Sequence, residues 1–186
     1  PIPFCVKKCN YCAFLSFNAE TSPRKEYTDA LVQEIRNRGE TLGHPEIDTV
    51  YVGGGTPSVL DISQMRDIMT AVKESFCVKP DAELTIEANP GTLGRKDGVM
   101  LAKLQAYKYL GFNRLSMGVQ SMDNDRLHYL GRIHTAENVA RDMELIRRKG
   151  FENVNLDLIF SVPGESTEDA LSDLKKVLEL KPEHVS

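Results

Sequence analysis

A repeat constrains this chain more than any other feature: a short apolar strand followed by an amphipathic helix, recurring about every 30 to 40 residues. Helix-sized connections exclude tight hairpins and make successive strands parallel, with the helices packed outside. The pattern predicts helices over 23–38, 62–75, 96–110, 136–148 and 168–180, and strands over 48–52, 83–87, 114–120 and 153–160. Local signals bound the helices. Ser22 and Pro23 suit a helix start and Gly39 a helix end. Asp61 with Gln64, and Ser166 with Asp169, spell capping boxes, and Thr135 precedes the helix at 136. Five or more such units favour an α/β barrel over an open doubly wound sheet. At 186 residues the chain is short for a complete barrel of about 250, so a partial barrel is expected. The chain opens at Pro1 and closes at Pro182-Glu-His-Val-Ser186, which spells a strand beginning; it reads as a fragment holding one domain.

Strands buried on both faces normally read as continuous apolar runs. These alternate instead. Leu84 and Ile86 interleave with Glu83, Thr85 and Glu87; Leu115, Met117 and Val119 with Ser116, Gly118 and Gln120; Val154, Leu156 and Leu158 with Asn153, Asn155 and Asp157. With a period of two, one face of at least three strands is polar. The apolar face belongs against the helices. The polar face then lines a wet lumen, where its groups need a ligand, water or one another. Gly53, Glu87, Gln120 and Asp157 fall at or near strand ends, the edge where α/β barrels place their chemistry.

Three of the four cysteines crowd into Cys5-Val-Lys-Lys-Cys9-Asn-Tyr-Cys12, the spacing C-x3-C-x2-C. Such crowding suggests a metal site in a reducing cytosol rather than a disulfide scaffold. Thiolates are soft ligands that suit iron–sulfur clusters or zinc. Three can hold three irons of a [4Fe–4S] cube and leave the fourth open for chemistry. Structural zinc is the alternative, although no second cysteine pair or histidine pair completes it. Cys77, between Phe76 and Val78, reads as an inert buried thiol, and His44, His128, His134 and His184 as surface or packing residues. A net charge of −4 argues against a nucleic-acid or anionic-membrane partner. No apolar run approaches the length of a membrane span.

The cysteine spacing, with Tyr11 before the last ligand, resembles the signature of the radical S-adenosylmethionine (SAM) superfamily. The likeness continues through Ile2-Pro-Phe-Cys5, Gly53-Gly-Gly-Thr-Pro57, Glu87-Ala-Asn-Pro90, Gly118-Val-Gln-Ser121, Leu130-Gly-Arg-Ile-His134 and Asp157-Leu-Ile-Phe-Ser-Val-Pro-Gly164. Together these resemble the oxygen-independent coproporphyrinogen III oxidase family, which includes heme chaperones built on the same domain. The resemblance implies the partial (β/α)6 TIM-type barrel of radical SAM proteins over 1–186, truncated at both ends, with a C-terminal substrate or heme domain beyond it. It also implies a [4Fe–4S] cluster on Cys5, Cys9 and Cys12 whose open iron binds the amino and carboxylate groups of SAM. One electron, from a donor such as flavodoxin or ferredoxin, splits the sulfonium into methionine and a 5′-deoxyadenosyl radical; the cofactor carries that chemistry.

By motif position Tyr11 lies against the adenosyl group, and Gly54, Gly55 and Thr56 meet the amino-acid end. Glu87, Gln120, Arg132 and Asp157 also sit where the family contacts SAM. The family's Tyr-x-His before Ile-Pro-Phe-Cys is absent, with Pro1 in the histidine's place. The family's decarboxylating enzymes carry a further cysteine two residues after the third ligand, where this chain has Phe14. The resemblance therefore favours the heme-chaperone branch, with heme as a ligand to be passed to hemoproteins. Coproporphyrinogen III dehydrogenase, acting on a porphyrinogen, is the alternative, and a zinc-binding module stands outside the family.

Overall fold

The alternating strands become a five-stranded, wholly parallel sheet in the computed structural model, which describes residues 1–186. In chain order the elements are β1 (Phe4–Cys5), β2 (Phe17–Asn18), α1 (Arg24–Leu42), β3 (Glu46–Val52), α2 (Ile62–Ser75), β4 (Cys77–Ala88), α3 (Asp97–Leu110), β5 (Arg114–Gln120), α4 (Asn124–Tyr129), α5 (Ala136–Arg148), β6 (Asn153–Leu158), α6 (Thr167–Glu179) and β7 (His184–Val185). Spatial order follows chain order from β3 to β7, so each crossover places its helix outside the next strand pair. The small β1–β2 sheet joins this frame where Ile2 bridges to Gly54, with the Ile2 N–H donating to the Gly53 carbonyl at 2.7 Å. The result is the partial α/β barrel that the repeat predicts.

The alternation sorts the strand residues as expected. Leu84, Ile86, Leu115, Met117, Val119, Val154 and Leu156 share one core with Met100, Leu104, Val139, Met143 and Ile146 of the helices. Thr85, Ser116 and Asn155, on the polar faces, are buried too. They meet their needs in the lumen, where Asn155 Nδ2 donates to Ser116 Oγ at 2.8 Å. Capping boxes form at Asp61/Gln64, Thr135/Asn138 and Ser166/Asp169.

Three expectations need correction. Gly39 does not end the first helix; α1 runs to Leu42 and Gly43 caps it in the left-handed conformation, φ 71°. A Cβ on Gly39 would lie 2.5 Å from Ser75 Cβ, so that glycine exists to let α1 and α2 touch. Ser22 does not cap α1; Pro23 takes the cap position, and no side-chain bond is made there. Cys77 is exposed rather than buried, because β4 begins at that residue, well before the expected start at 83. Two short elements, β2 and α4, were not anticipated; both depend on distant partners more than on local periodicity.

Candidate functional site

The loop after β1 folds over the carboxyl ends of β3–β6 and encloses a cavity of about 200 Å³. Every candidate ligand and cofactor contact read from the sequence lines it: Cys5, Cys9, Cys12, Tyr11, Gly54, Gly55, Thr56, Glu87, Gln120, Arg132 and Asp157. Cys77 does not. It sits at the opposite end of β4, roughly 25 Å of strand away.

Hydrogen bonds give the cysteine loop its shape. Cys12 N–H donates to the Cys9 carbonyl at 3.2 Å. Asn10 pins the loop to the turn after α4, through its N–H to the Leu130 carbonyl at 3.0 Å and its Nδ2 to the Tyr129 carbonyl at 2.7 Å. Gly131, at φ 76°, has no room for a side chain, since a Cβ there would lie 2.8 Å from Asn10 Oδ1.

The triglycine is packed as tightly. A Cβ on Gly55 would lie 2.9 Å from the Phe4 carbonyl oxygen and 3.0 Å from Cys5 Sγ. Gly54 N–H donates to Glu87 Oε2 at 2.9 Å, and Gly55 N–H to the Ile2 carbonyl at 2.8 Å. Both N–H groups are thus used within the chain, while the two carbonyls accept no bond from it. Gly54, Gly55 and Glu87 all line the cavity. Tyr51 Oη holds the other Glu87 oxygen at 2.6 Å, and burial and that carboxylate push the Tyr51 phenol's pKa up.

Gln120 ends β5 in a left-handed conformation, φ 70°, where the β5–β6 register shifts. Such a bulge re-aims a side chain and commonly sits beside a functional site. Asp157 accepts from Asn155 Nδ2 at 2.7 Å. Burial raises its pKa, while that hydrogen bond and the charges of His184 and Arg132 oppose the rise. Arg132 binds the mouth together. Its Nη2 donates to Asn89 Oδ1 at 2.5 Å and to the Gly118 carbonyl at 2.7 Å; its Nη1 lies 3.3 Å from Cys9 Sγ and 3.4 Å from Tyr11 Oη. Burial pushes the Tyr11 phenol up to about 12 despite the nearby guanidinium.

Asn10 and Asn89 escaped the sequence reading. Asn89 carried a signal: two residues beyond Glu87, it falls on the same face of the strand as it leaves the sheet. Asn10 carried none, since its partners lie 119 and 120 residues away.

A parallel partial barrel with three free thiols at its mouth defines the class: an α/β barrel with a thiol-lined cavity. The chain belongs to the radical SAM superfamily, whose family model matches residues 1–177. Membership implies SAM and a [4Fe–4S] cluster as cofactors. The chain is 38% identical to heme chaperone HemW of Escherichia coli (strain K12), over all of this chain and 48% of that protein. It is 37% identical to heme chaperone HemW of Bacillus subtilis (strain 168), over all of this chain and 48% of that protein. The solved structure of coproporphyrinogen III oxidase (HemN) from Escherichia coli, described as a radical SAM enzyme, matches with a TM-score of 0.89 at 33% identity. That match covers all of this chain and 42% of the other. The chain therefore spans about half the length of the curated relatives it matches.

The donor set fits such a cluster. The three thiols are soft donors grouped on one short loop, none of them paired in a disulfide.

Proposed function

We propose that this chain is the radical SAM core of a heme chaperone, with Cys5, Cys9 and Cys12 as the cluster ligands. One observation supports this most: the three thiols share a cavity with the strand-end groups Glu87, Gln120 and Asp157 and with Arg132. When bound, the cluster supplies the electron that cleaves SAM. The chain's own residues bind and orient. Gly54, Gly55 and Thr56 would meet the amino-acid end of bound SAM, Glu87, Gln120, Arg132 and Asp157 would supply further contacts to it, and Tyr11 would lie against its adenosyl group.

The chaperone branch is favoured by Phe14, which is largely exposed and stands where the decarboxylating enzymes carry a cysteine. The similarity to the relatives named heme chaperones supports it too. The second reading, coproporphyrinogen III dehydrogenase, rests on the solved neighbour. Anaerobic assay of the full-length protein separates the two. Stoichiometric heme uptake without turnover supports the chaperone, and coproporphyrinogen consumption supports the enzyme. Cys9→Ser is expected to abolish cluster assembly and SAM cleavage together, with iron and sulfide content falling in step with the visible absorption. A Cys9→Ser protein that keeps its iron and cleaves SAM would remove the assignment.

A further inference from the structure

The geometry points to Asn89 as the positioning residue that sets the hydrogen bonds reaching two of the three cavity thiols. The inference rests on the cluster reading of Cys5, Cys9 and Cys12. The Asn89 backbone is fixed from below: its N–H donates to Thr92 Oγ1 at 3.1 Å, and its carbonyl accepts from Thr92 Oγ1 at 2.6 Å and Thr92 N–H at 3.0 Å. The next turn is fixed as well, since Gly91 N–H donates to buried Asp142 at 2.8 Å. What remains is the side-chain amide, which bridges two arms. Nδ2 lies 2.8 Å from Thr56 Oγ1, and Oδ1 lies 2.5 Å from Arg132 Nη2.

The donor inventory fixes which way each proton points. Arg132 can only donate, so the amide must turn its oxygen toward Arg132 and its NH2 toward Thr56. The Thr56 hydroxyl then accepts from Asn89, and its own proton is left for Cys5 Sγ at 3.5 Å. On the other arm, holding Nη2 leaves Nη1 facing Cys9 Sγ at 3.3 Å. One amide thus orients a hydroxyl toward one thiol and a guanidinium toward another. Gly118 makes space for it, because a Cβ there would lie 2.6 Å from Asn89 Oδ1. Hydrogen bonds to ligating sulfurs withdraw charge and set the potential of the centre they hold.

Asn89→Asp keeps the shape and destroys the relay. A carboxylate cannot donate, so the Thr56 hydroxyl turns its proton to the new carboxylate and away from Cys5. The test is an EPR-monitored redox titration of the full-length, anaerobically reconstituted protein, with iron and sulfide measured alongside. Expected is unchanged cluster content and about a tenfold shift of the redox equilibrium toward the oxidised cluster, which is about 59 mV more negative for one electron. Thr56→Val removes the same donor without adding charge, so it should shift the potential in the same direction. In the double variant the two shifts should fall short of their sum, because one arm is lost once. A wild-type potential in Asn89→Asp with full cluster content overturns the inference and leaves the cluster reading standing. Should Asn89→Asp not assemble a cluster, a wild-type potential in Thr56→Val overturns it equally. A wild-type protein that binds no iron overturns the cluster reading and this inference with it.

Discussion

Two arginines six residues apart show two opposite uses of a partly buried cation. Arg126, on α4, is surrounded by carboxylates: Glu165 at 3.6 Å, Asp169 at 3.8 Å and Asp173 at 3.1 Å. Arg132, past the end of the same helix, has none. Its partners are the Asn89 amide, the Gly118 carbonyl, the Tyr11 hydroxyl and the Cys9 sulfur. A buried charge normally needs an opposite charge or full hydrogen bonding. Arg126 has the first, so its field is spent within the protein and it ties α4 to α6. Arg132 instead has neutral and sulfur acceptors on both terminal nitrogens, so it is held in place beside the cavity with no carboxylate at ion-pair distance. The chain thus builds, from neighbouring turns, one arginine ringed by carboxylates and one without any, and only their surroundings tell them apart.

The largest expected effect tests the structural side. Arg126→Met leaves Asp173 and Glu165, whose side chains are 5% and 2% exposed, without their cation. Asp173 would keep only the Ser121 hydroxyl and the Met122 N–H. Removing one partner of a buried ion cluster costs about 3–5 kcal/mol. For a chain of this size that is a fall in Tm of roughly 10 °C by calorimetry. A change of about 2 °C or less would show that these carboxylates do not depend on Arg126.

A smaller effect reads the field of Arg132. His134 is 5% exposed; its Nε2–H donates to the Val119 carbonyl at 3.1 Å, and its Nδ1 has no partner. Burial, helped by the charge of Arg132, lowers its pKa from 6.5 to about 4. The sign follows: between those values the unfolded chain binds the proton and the native protein does not. Native stability therefore rises with pH across that window and is lost as pH falls through it, by about 3 kcal/mol in all. His134→Gln should remove that much of the acid sensitivity when denaturation midpoints at pH 4 and pH 7 are compared. An unaltered slope would mean that His134 does not carry it.

Legibility followed the range of the interactions. The starts of α2 and α6 are readable because a capping box closes within four residues, that of α5 because Thr135 stands before it, and the strand faces because alternation is a local period. Gly39 misled because its reason, Ser75, lies on another helix, and a glycine near a helix end looks the same whether it caps or packs. Cys77 misled because its place is set by the pairing of Glu46 with Cys77, which lengthens β4 beyond its apolar centre. The candidate site was more legible than most of a surface: every candidate ligand and contact reached one cavity. What sequence could not supply was how the groups touch. That Arg132 meets Cys9 and Asn89, and that Asn10 holds the cysteine loop, are facts of closure across more than a hundred residues or several strands.

Arg132→Met should separate the two arginines most sharply because so little of its effect falls on the fold. No carboxylate is stranded by the change, and the freed acceptors, Asn89 Oδ1 and the Gly118 carbonyl, border a cavity that water can enter. The expected cost in stability is about 1 kcal/mol or less, well below that of Arg126→Met. The loss should appear in ligand binding instead: a charge-assisted hydrogen bond contributes about 1.5–3 kcal/mol, so SAM affinity should fall roughly 10- to 100-fold by equilibrium titration of the reconstituted protein. Arg132→Lys keeps the charge but not the planar fork, and an intermediate affinity is expected because one ammonium cannot serve the Asn89 and Cys9 arms together. If Arg132→Met melts as early as Arg126→Met, the two arginines do the same job and the contrast between them is lost. If it melts normally but binds SAM as wild type does, the Arg132 charge is not used to bind SAM.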